Sequence, residues 1–376
     1  MKVGVPKESA PGEHRVALVP EVVRKLTGQD HEVVVEPGAG AAALIPDELF
    51  TEAGASQSGE VWSADVVVKV APPSSEEIGR LGGDTVLIGF LEPLTNGEVA
   101  SALARAGVTS FALEAVPRIS RAQSMDALSS QANIGGYRAA LLGATLMGRF
   151  YPMLMTAAGT IRPAKVMVLG AGVAGLQAIA TARRLGAVVI GFDVRAAVKE
   201  QVESLGAKFL ELDLGEDAEG EGGYAKELTS EQQQLQREKL AEAMADVDVI
   251  ITTAQIPGRP APLLVTAAAV EGMKPGSVII DLAGSSGGNC ELSEPGETIV
   301  KHNVTIAAPA NLPSEMAEHA SQLYARNILS LLELMTGEDG KLDLDWDDDI
   351  IKGACITRDG EIVHEGAKRA AGAPAQ

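Results

Sequence analysis

The run Lys165-Val-Met-Val-Leu-Gly170-Ala-Gly172-Val-Ala-Gly175 constrains this chain more than any other, because an apolar strand empties straight into three spaced glycines. The pattern ends the strand at Leu169. Gly170 allows a tight turn, Gly172 lets backbone approach a pyrophosphate, and Gly175 lets a helix over Ala174–Leu185 pack closely on the sheet. The N–H groups and positive dipole end of that helix, with Val173 just before it and Ala174 at its start, then face a diphosphate. A second strand, Ala187–Phe192, ends in Asp193. An acid there, about 20 residues past the glycines, suits a carboxylate accepting hydrogen bonds from adenosine ribose hydroxyls. A 2′-phosphate would meet a like charge, so NAD(H) is favoured over NADP(H). Arg195, two residues on, keeps a 2′-phosphate reading open.

The stretch before the fingerprint alternates in the same way. Lys2–Val5, Glu32–Glu36, Ala64–Val70, Thr85–Gly89 and Ser110–Ala115 predict buried strands, and Pro20–Leu26, Glu76–Leu81 and Gly97–Ala106 predict helices between them. The apolar stretch Ala132–Ala157 predicts one or two buried connecting helices. Later strands are expected at Val247–Thr252, Ser277–Asp281 and Val304–Ala307, and Ser314–Met335 has a helical period that would return to the first domain. The expected fold class is α/β: two doubly wound Rossmann-like parallel-sheet domains with a nucleotide cleft between them. Residues 1–130 plus 310–376 would form the N-terminal domain, and 131–309 the NAD(H)-binding one. A chain of 376 residues can bury two such cores. With 46% hydrophobic but only 3% aromatic residues, those cores must be mostly Ala, Val, Ile and Leu.

Charge and cysteine usage narrow the partners. A formal charge of −20 argues against nucleic acid and against an anionic membrane surface, although a salty habitat would also account for it. Cys290 and Cys355 are too few for a disulfide scaffold and are not spaced as a metal site, which fits a reducing cytoplasm. The chain begins directly as a strand, so no signal peptide is expected. Ala139–Gly159 is interrupted by Arg149 and Pro152 and is not expected to enter a membrane.

Two further stretches carry candidate chemistry. Arg118-Ile119-Ser120-Arg121-Ala-Gln123-Ser-Met-Asp126-Ala-Leu-Ser129 follows the last strand of the first domain and should reach the mouth of the cleft. Asp126 suits an electrostatic partner for Arg118, and Gln123 suits a carboxamide or ribose. Helix capping and solubility is the other reading of these groups. The insertion from Leu212 to about residue 230 is too long for an ordinary βα connection. Its glycines and acids suit a mobile loop in which Gly223 and Tyr224 cover a ligand. A solvated loop with an incidental tyrosine would look the same.

Gly4-Val-Pro-Lys-Glu8, Glu13-His-Arg15-Val-Ala-Leu-Val-Pro20 and the fingerprint resemble the family shared by alanine dehydrogenase and the NAD(H)-binding component of proton-translocating transhydrogenase. The resemblance runs over almost the whole chain. Alanine dehydrogenases carry a carboxylate-binding lysine, a catalytic histidine and an active-site aspartate. Ala71, Glu92 and Ser285 stand in their places here, and Arg15 alone persists. The run 118–129, Gly222-Gly-Tyr224-Ala-Lys-Glu, Thr252-Thr-Ala-Gln255-Ile-Pro-Gly258 and Asp349-Ile-Ile-Lys-Gly353 instead resemble the transhydrogenase branch, Gln255 being the one departure.

That resemblance implies direct hydride transfer from NADH bound here to NADP+ on a partner, coupled by a membrane-spanning component to proton movement. Transfer between two nicotinamides moves no proton at the reacting carbon, so positioning replaces acid–base chemistry. It implies Gln123, Arg118, Asp126 and Ser129 as the nicotinamide-side set. The cofactor-binding set adds Ile119, Ser120, Arg121, Gly170, Gly172, Val173, Ala174, Gly175, Asp193, Val194, Arg195, Gly223, Tyr224, Gln236 and Gln255. It also implies a homodimer, peripheral on the cytoplasmic face of the inner membrane. A soluble amino-acid dehydrogenase and a non-catalytic NAD-sensing subunit are the competing readings.

Overall fold

A computed structural model describes residues 1–212 and 229–372. The chain divides into two units, Met1–Gln131 with Pro313–Gln376, and Ala132–Leu312.

In the first unit eight strands make one sheet. Its order is Glu361–Ile362, Cys355–Arg358, Thr109–Ala112, Val86–Gly89, Val66–Val68, Lys2–Val5, Glu32–Val35 and Ser56–Gln57. Taken in chain order, the six parallel strands run 3-2-1-4-5-6, the doubly wound arrangement. The central strands are short and aliphatic because both faces are covered. Val66, Val68 and Ile88 enter one buried cluster, while Val67 and Leu87 enter the other. Helix Ala317–Leu334 belongs to this unit and buries ten of its residues, Tyr324 among them.

The second unit repeats the plan. Its sheet runs Lys208–Phe209, Val188–Phe192, Lys165–Leu169, Val249–Thr252, Val278–Asp281, Val304–Ala307 and Thr298–Lys301. Val166 and Val168 face one apolar cluster, and Met167 and Leu169 the other. The order reverses between Lys165–Leu169 and Val249–Thr252, so the glycine turn after Leu169 opens at the switch point of the sheet.

Two antiparallel additions escape the periodicity of the sequence. Asp359 and Gly360 both take positive φ, 53° and 79°, and fold Cys355–Arg358 onto Glu361–Ile362 as a hairpin. His302 and Asn303, at 51° and 61°, do the same between Thr298–Lys301 and Val304–Ala307. The expectation for Ala132–Ala157 is corrected in its second half. Helix Ala127–Leu146 ends there, and Leu154–Thr156 pairs with Gly159–Ile161 as a separate two-stranded hairpin. Arg149 and Pro152 interrupt the helical pattern, and the hairpin turns at Ala157-Ala158 into Gly159, which stands at φ 131°. Among the described residues no helix is long and apolar enough to cross a membrane.

Candidate functional site

The glycine turn has the backbone that its sequence predicts. Gly170 stands at φ 96°, and a Cβ there would lie 2.7 Å from Thr253 Oγ1. Helix Val173–Arg184 starts after Gly172, which has no side chain to cap it and around which a Cβ would meet open space. A Cβ on Gly175 would lie 1.9 Å from the Gly170 carbonyl oxygen, so any side chain there would push the helix off the turn. Uncapped first-turn N–H groups, a bare approach at Gly172 and an acid ending the next strand together fit a dinucleotide diphosphate and ribose.

Asp193 ties this turn to its neighbour. Its Oδ2 accepts from Ala171 N–H at 2.7 Å and Arg195 Nη2 at 2.8 Å. Its Oδ1 accepts from Arg195 N–H and Nε, both at 2.9 Å. Burial pushes the carboxyl up, but the Arg195 guanidinium and the two backbone N–H groups outweigh it and hold Asp193 below the usual range.

The facing loop is set by residues that sequence reading missed. Asn289, fully buried, donates to the carbonyls of Ala254 and Pro262 at 2.9 and 2.8 Å and accepts from Ala254 N–H at 3.1 Å. Asp281, also fully buried, accepts from Thr252 Oγ1, Ser293 Oγ and the N–H groups of Ala283 and Cys290. An acid closing an apolar strand, followed by Gly287-Gly288-Asn289, was the available signal. Gln255 is exposed, with Nε2 donating to Leu282 O at 3.1 Å, and Gln236 is buried in helix Ser230–Met244.

The first unit holds the other predicted set. Ser120–Met125 forms a short 3-10 helix that buries Ala122 and Met125 and leaves Gln123 exposed. Asp126 accepts from Ser129 N–H at 2.9 Å and Ser129 Oγ at 2.6 Å, closing the first turn of helix Ala127–Leu146. Arg118 and Ile119 are exposed, while Arg121 donates to Asp348 at 2.6 Å. Gly223 and Tyr224 lie outside the described residues. The predicted positions thus gather into two sets, Arg118–Ser129 in one unit and Gly170–Arg195 with Gln236 and Gln255 in the other.

An amino-acid dehydrogenase would need a lysine, a base and an acid. Ala71 is half-buried, Ser285 is exposed, and exposed Glu92 sits in a left-handed turn at φ 52°. The cations nearby in sequence are committed elsewhere. Arg15 is buried and forked onto Glu13, with Nη1 donating to Gln131. Lys69, 1% exposed, lies 3.2 Å from Glu8 and 3.0 Å from Glu77, with Tyr324 Oη donating to its carbonyl at 2.6 Å. Burial raises Glu8 despite Lys69. For Glu77 the Ser74 N–H, Lys69 and Ser9 overcome burial and lower it. Glu114 accepts the N–H groups of Leu91 and Glu92, and burial pushes it up to about 7.

Comparison with known proteins gives the family. Residues 4–135 match the family described as alanine dehydrogenase/PNT, N-terminal domain, and residues 139–365 match alanine dehydrogenase/PNT, C-terminal domain. The chain is 52% identical to the first part of NAD(P) transhydrogenase subunit alpha of Rhodospirillum rubrum, over 97% of this chain and 98% of that protein. It is 31% identical to alanine dehydrogenase of Bacillus subtilis, over 98% of this chain and 94% of that one. The crystal structure of transhydrogenase from Sinorhizobium meliloti superposes with a TM-score of 0.85 at 45% identity, covering 97% of this chain and 99% of the other.

Proposed function

The chain belongs to the alanine dehydrogenase/PNT family, and on that premise we propose that it is the NAD(H)-binding component of a proton-translocating NAD(P)+ transhydrogenase. It is an oxidoreductase that acts with partner components. NADH held by this chain supplies a hydride to NADP+ on a separate component, and a membrane-spanning component couples that transfer to proton movement.

The chain's own residues bind and position. Gly170, Gly172, Val173, Ala174 and Gly175 receive the diphosphate at a helix N-terminus. Asp193, flanked by Val194 and Arg195, takes the adenosine ribose. Gln123 orients the nicotinamide or its ribose, and Arg118, Asp126 and Ser129 build the surroundings, with Ile119, Ser120, Arg121, Gln236 and Gln255 completing the set. Tyr224, with Gly223, covers the nucleotide. A second copy of the chain pairs through the exposed apolar hairpin Leu154–Ile161, and the dimer works on the cytoplasmic face of the inner membrane, the charge arguing against nucleic acid as a partner.

Greater similarity to the transhydrogenase subunit than to alanine dehydrogenase carries this reading, and Ala71, Glu92 and Ser285 support it at the residue level. The test is to mix the chain with an NADP(H)-binding transhydrogenase component and follow single-turnover hydride transfer. Gln123→Asn shortens one side chain without changing charge. It should slow transfer by about 100-fold, the cost of a misplacement near 1 Å, while NADH affinity stays close to that of the parent. Turnover of alanine with NAD+ by the isolated chain, or a steep pH dependence abolished by Glu92→Gln, would replace this reading with a dehydrogenase.

A further inference from the structure

Resting on the NAD(H)-binding reading above, we propose that Arg195 is a built-in occupant of the adenosine-ribose subsite, held on Asp193 where two ribose hydroxyls would donate, and displaced when a nucleotide binds. A carboxylate offers about four lone-pair positions. All four on Asp193 are taken, by Ala171 N–H, Arg195 N–H, Arg195 Nε and Arg195 Nη2, at 2.7 to 2.9 Å. The two backbone donors belong to the turns that define the site, since Ala171 lies between the first two glycines and Arg195 N–H closes the end of the second strand. The two guanidinium donors are the exchangeable ones. A ribose 2′,3′-diol brings two hydroxyls, so it matches in number what the side chain must give up.

Exchange has an electrostatic consequence. A guanidinium does not lose its proton in this setting, so it leaves only by moving, and it uncovers a carboxylate that is 6% exposed. Ribose hydroxyls satisfy that charge without neutralising it. A 2′-phosphate would then face it directly, and the displaced guanidinium is the cation nearest in sequence to offset the repulsion. Arg195 therefore weakens binding of NADH and blunts the discrimination that Asp193 provides.

Fluorescence titration of the full chain with NADH and with NADPH tests this. Arg195→Ala removes the competitor of the ribose, so NADH should bind at least about tenfold tighter, because the two guanidinium bonds to Asp193 no longer have to be broken. NADPH should bind no tighter, so the ratio between the two nucleotides widens, whereas plain structural damage would weaken both alike. Arg195→Lys keeps the charge but loses the fork and should fall between the parent and Arg195→Ala. In an Asp193→Asn background, Arg195→Ala should bring no gain. If the parent binds NADH and Arg195→Ala binds it equally or more weakly, the occupant role is wrong and the NAD(H) reading stands. If neither binds NADH, both fall.

Discussion

Glu114 is a carboxyl whose environment sets a measurable property of the whole chain. It follows the Thr109–Ala112 strand, accepts the N–H groups of Leu91 and Glu92, and feels the charge of Glu92. Burial raises it from 4.5 to about 7. The folded chain thus keeps this proton at pH values where the unfolded chain has lost it. The contribution of Glu114 to stability is full below pH 4.5, falls as pH rises to about 7, and is level above that. Glu8, raised by the burial of its side chain, adds in the same direction. The steepest loss from Glu114 alone is about 1.4 kcal/mol per pH unit. Glu114→Gln removes that proton, and thermal melts between pH 5 and 7 should show a flatter midpoint for the variant than for the parent. Parallel profiles would mean that Glu114 stays ionised. None of this was legible in the sequence, where Glu114 is one of 51 acids, because depth sets the shift and depth is a property of the folded sheet.

Among the elements, the strand–glycine–helix unit was the most legible, since each residue type there answers a single geometric demand. The strand Lys165–Leu169 ends where the sequence places it, and the helix begins one residue early, at Val173. Gly175→Ala tests the tightest of those demands. A methyl 1.9 Å from the Gly170 carbonyl must separate helix from turn, so stability should drop by about 1–3 kcal/mol in denaturant melts and NADH binding should be lost with it. Full stability would show that the turn can relax. The site was legible only by half. Asp193 and the glycines could be read because their spacing is fixed by one βαβ unit. Asn289 and Asp281 left only the signal of an acid closing an apolar strand before two glycines, because the carbonyls and N–H groups they satisfy, at Ala254, Pro262, Ala283 and Cys290, come from loops whose paths no periodicity encodes. The two hairpins with paired positive-φ residues, Asp359-Gly360 and His302-Asn303, were missed for a different reason. Their strands are short edges, and turn chemistry alone announces them.

For the whole molecule, the hairpin Leu154–Ile161 is the element whose exposure calls for a partner. Met155 is 72% exposed, Met153 58%, and Ile161 47%, on a ribbon of two strands that is marginal in water by itself. A second copy of the chain would cover it. Under the proposed pairing the parent should sediment as a dimer and Met155→Glu combined with Ile161→Glu as a monomer, with the circular dichroism unchanged; a monomeric parent, or a variant of unaltered mass, would rule out pairing through this hairpin. The distribution of aromatic residues has a practical consequence as well. Both tryptophans belong to the first unit, Trp62 buried near Lys69 and Arg80, and Trp346 stacked on Phe111. The unit with the glycine turn has none. Tryptophan emission is therefore confined to one unit, so a stopped-flow record of it on mixing with NADH times, without any attached dye, when binding is felt in the unit that lacks the glycine turn.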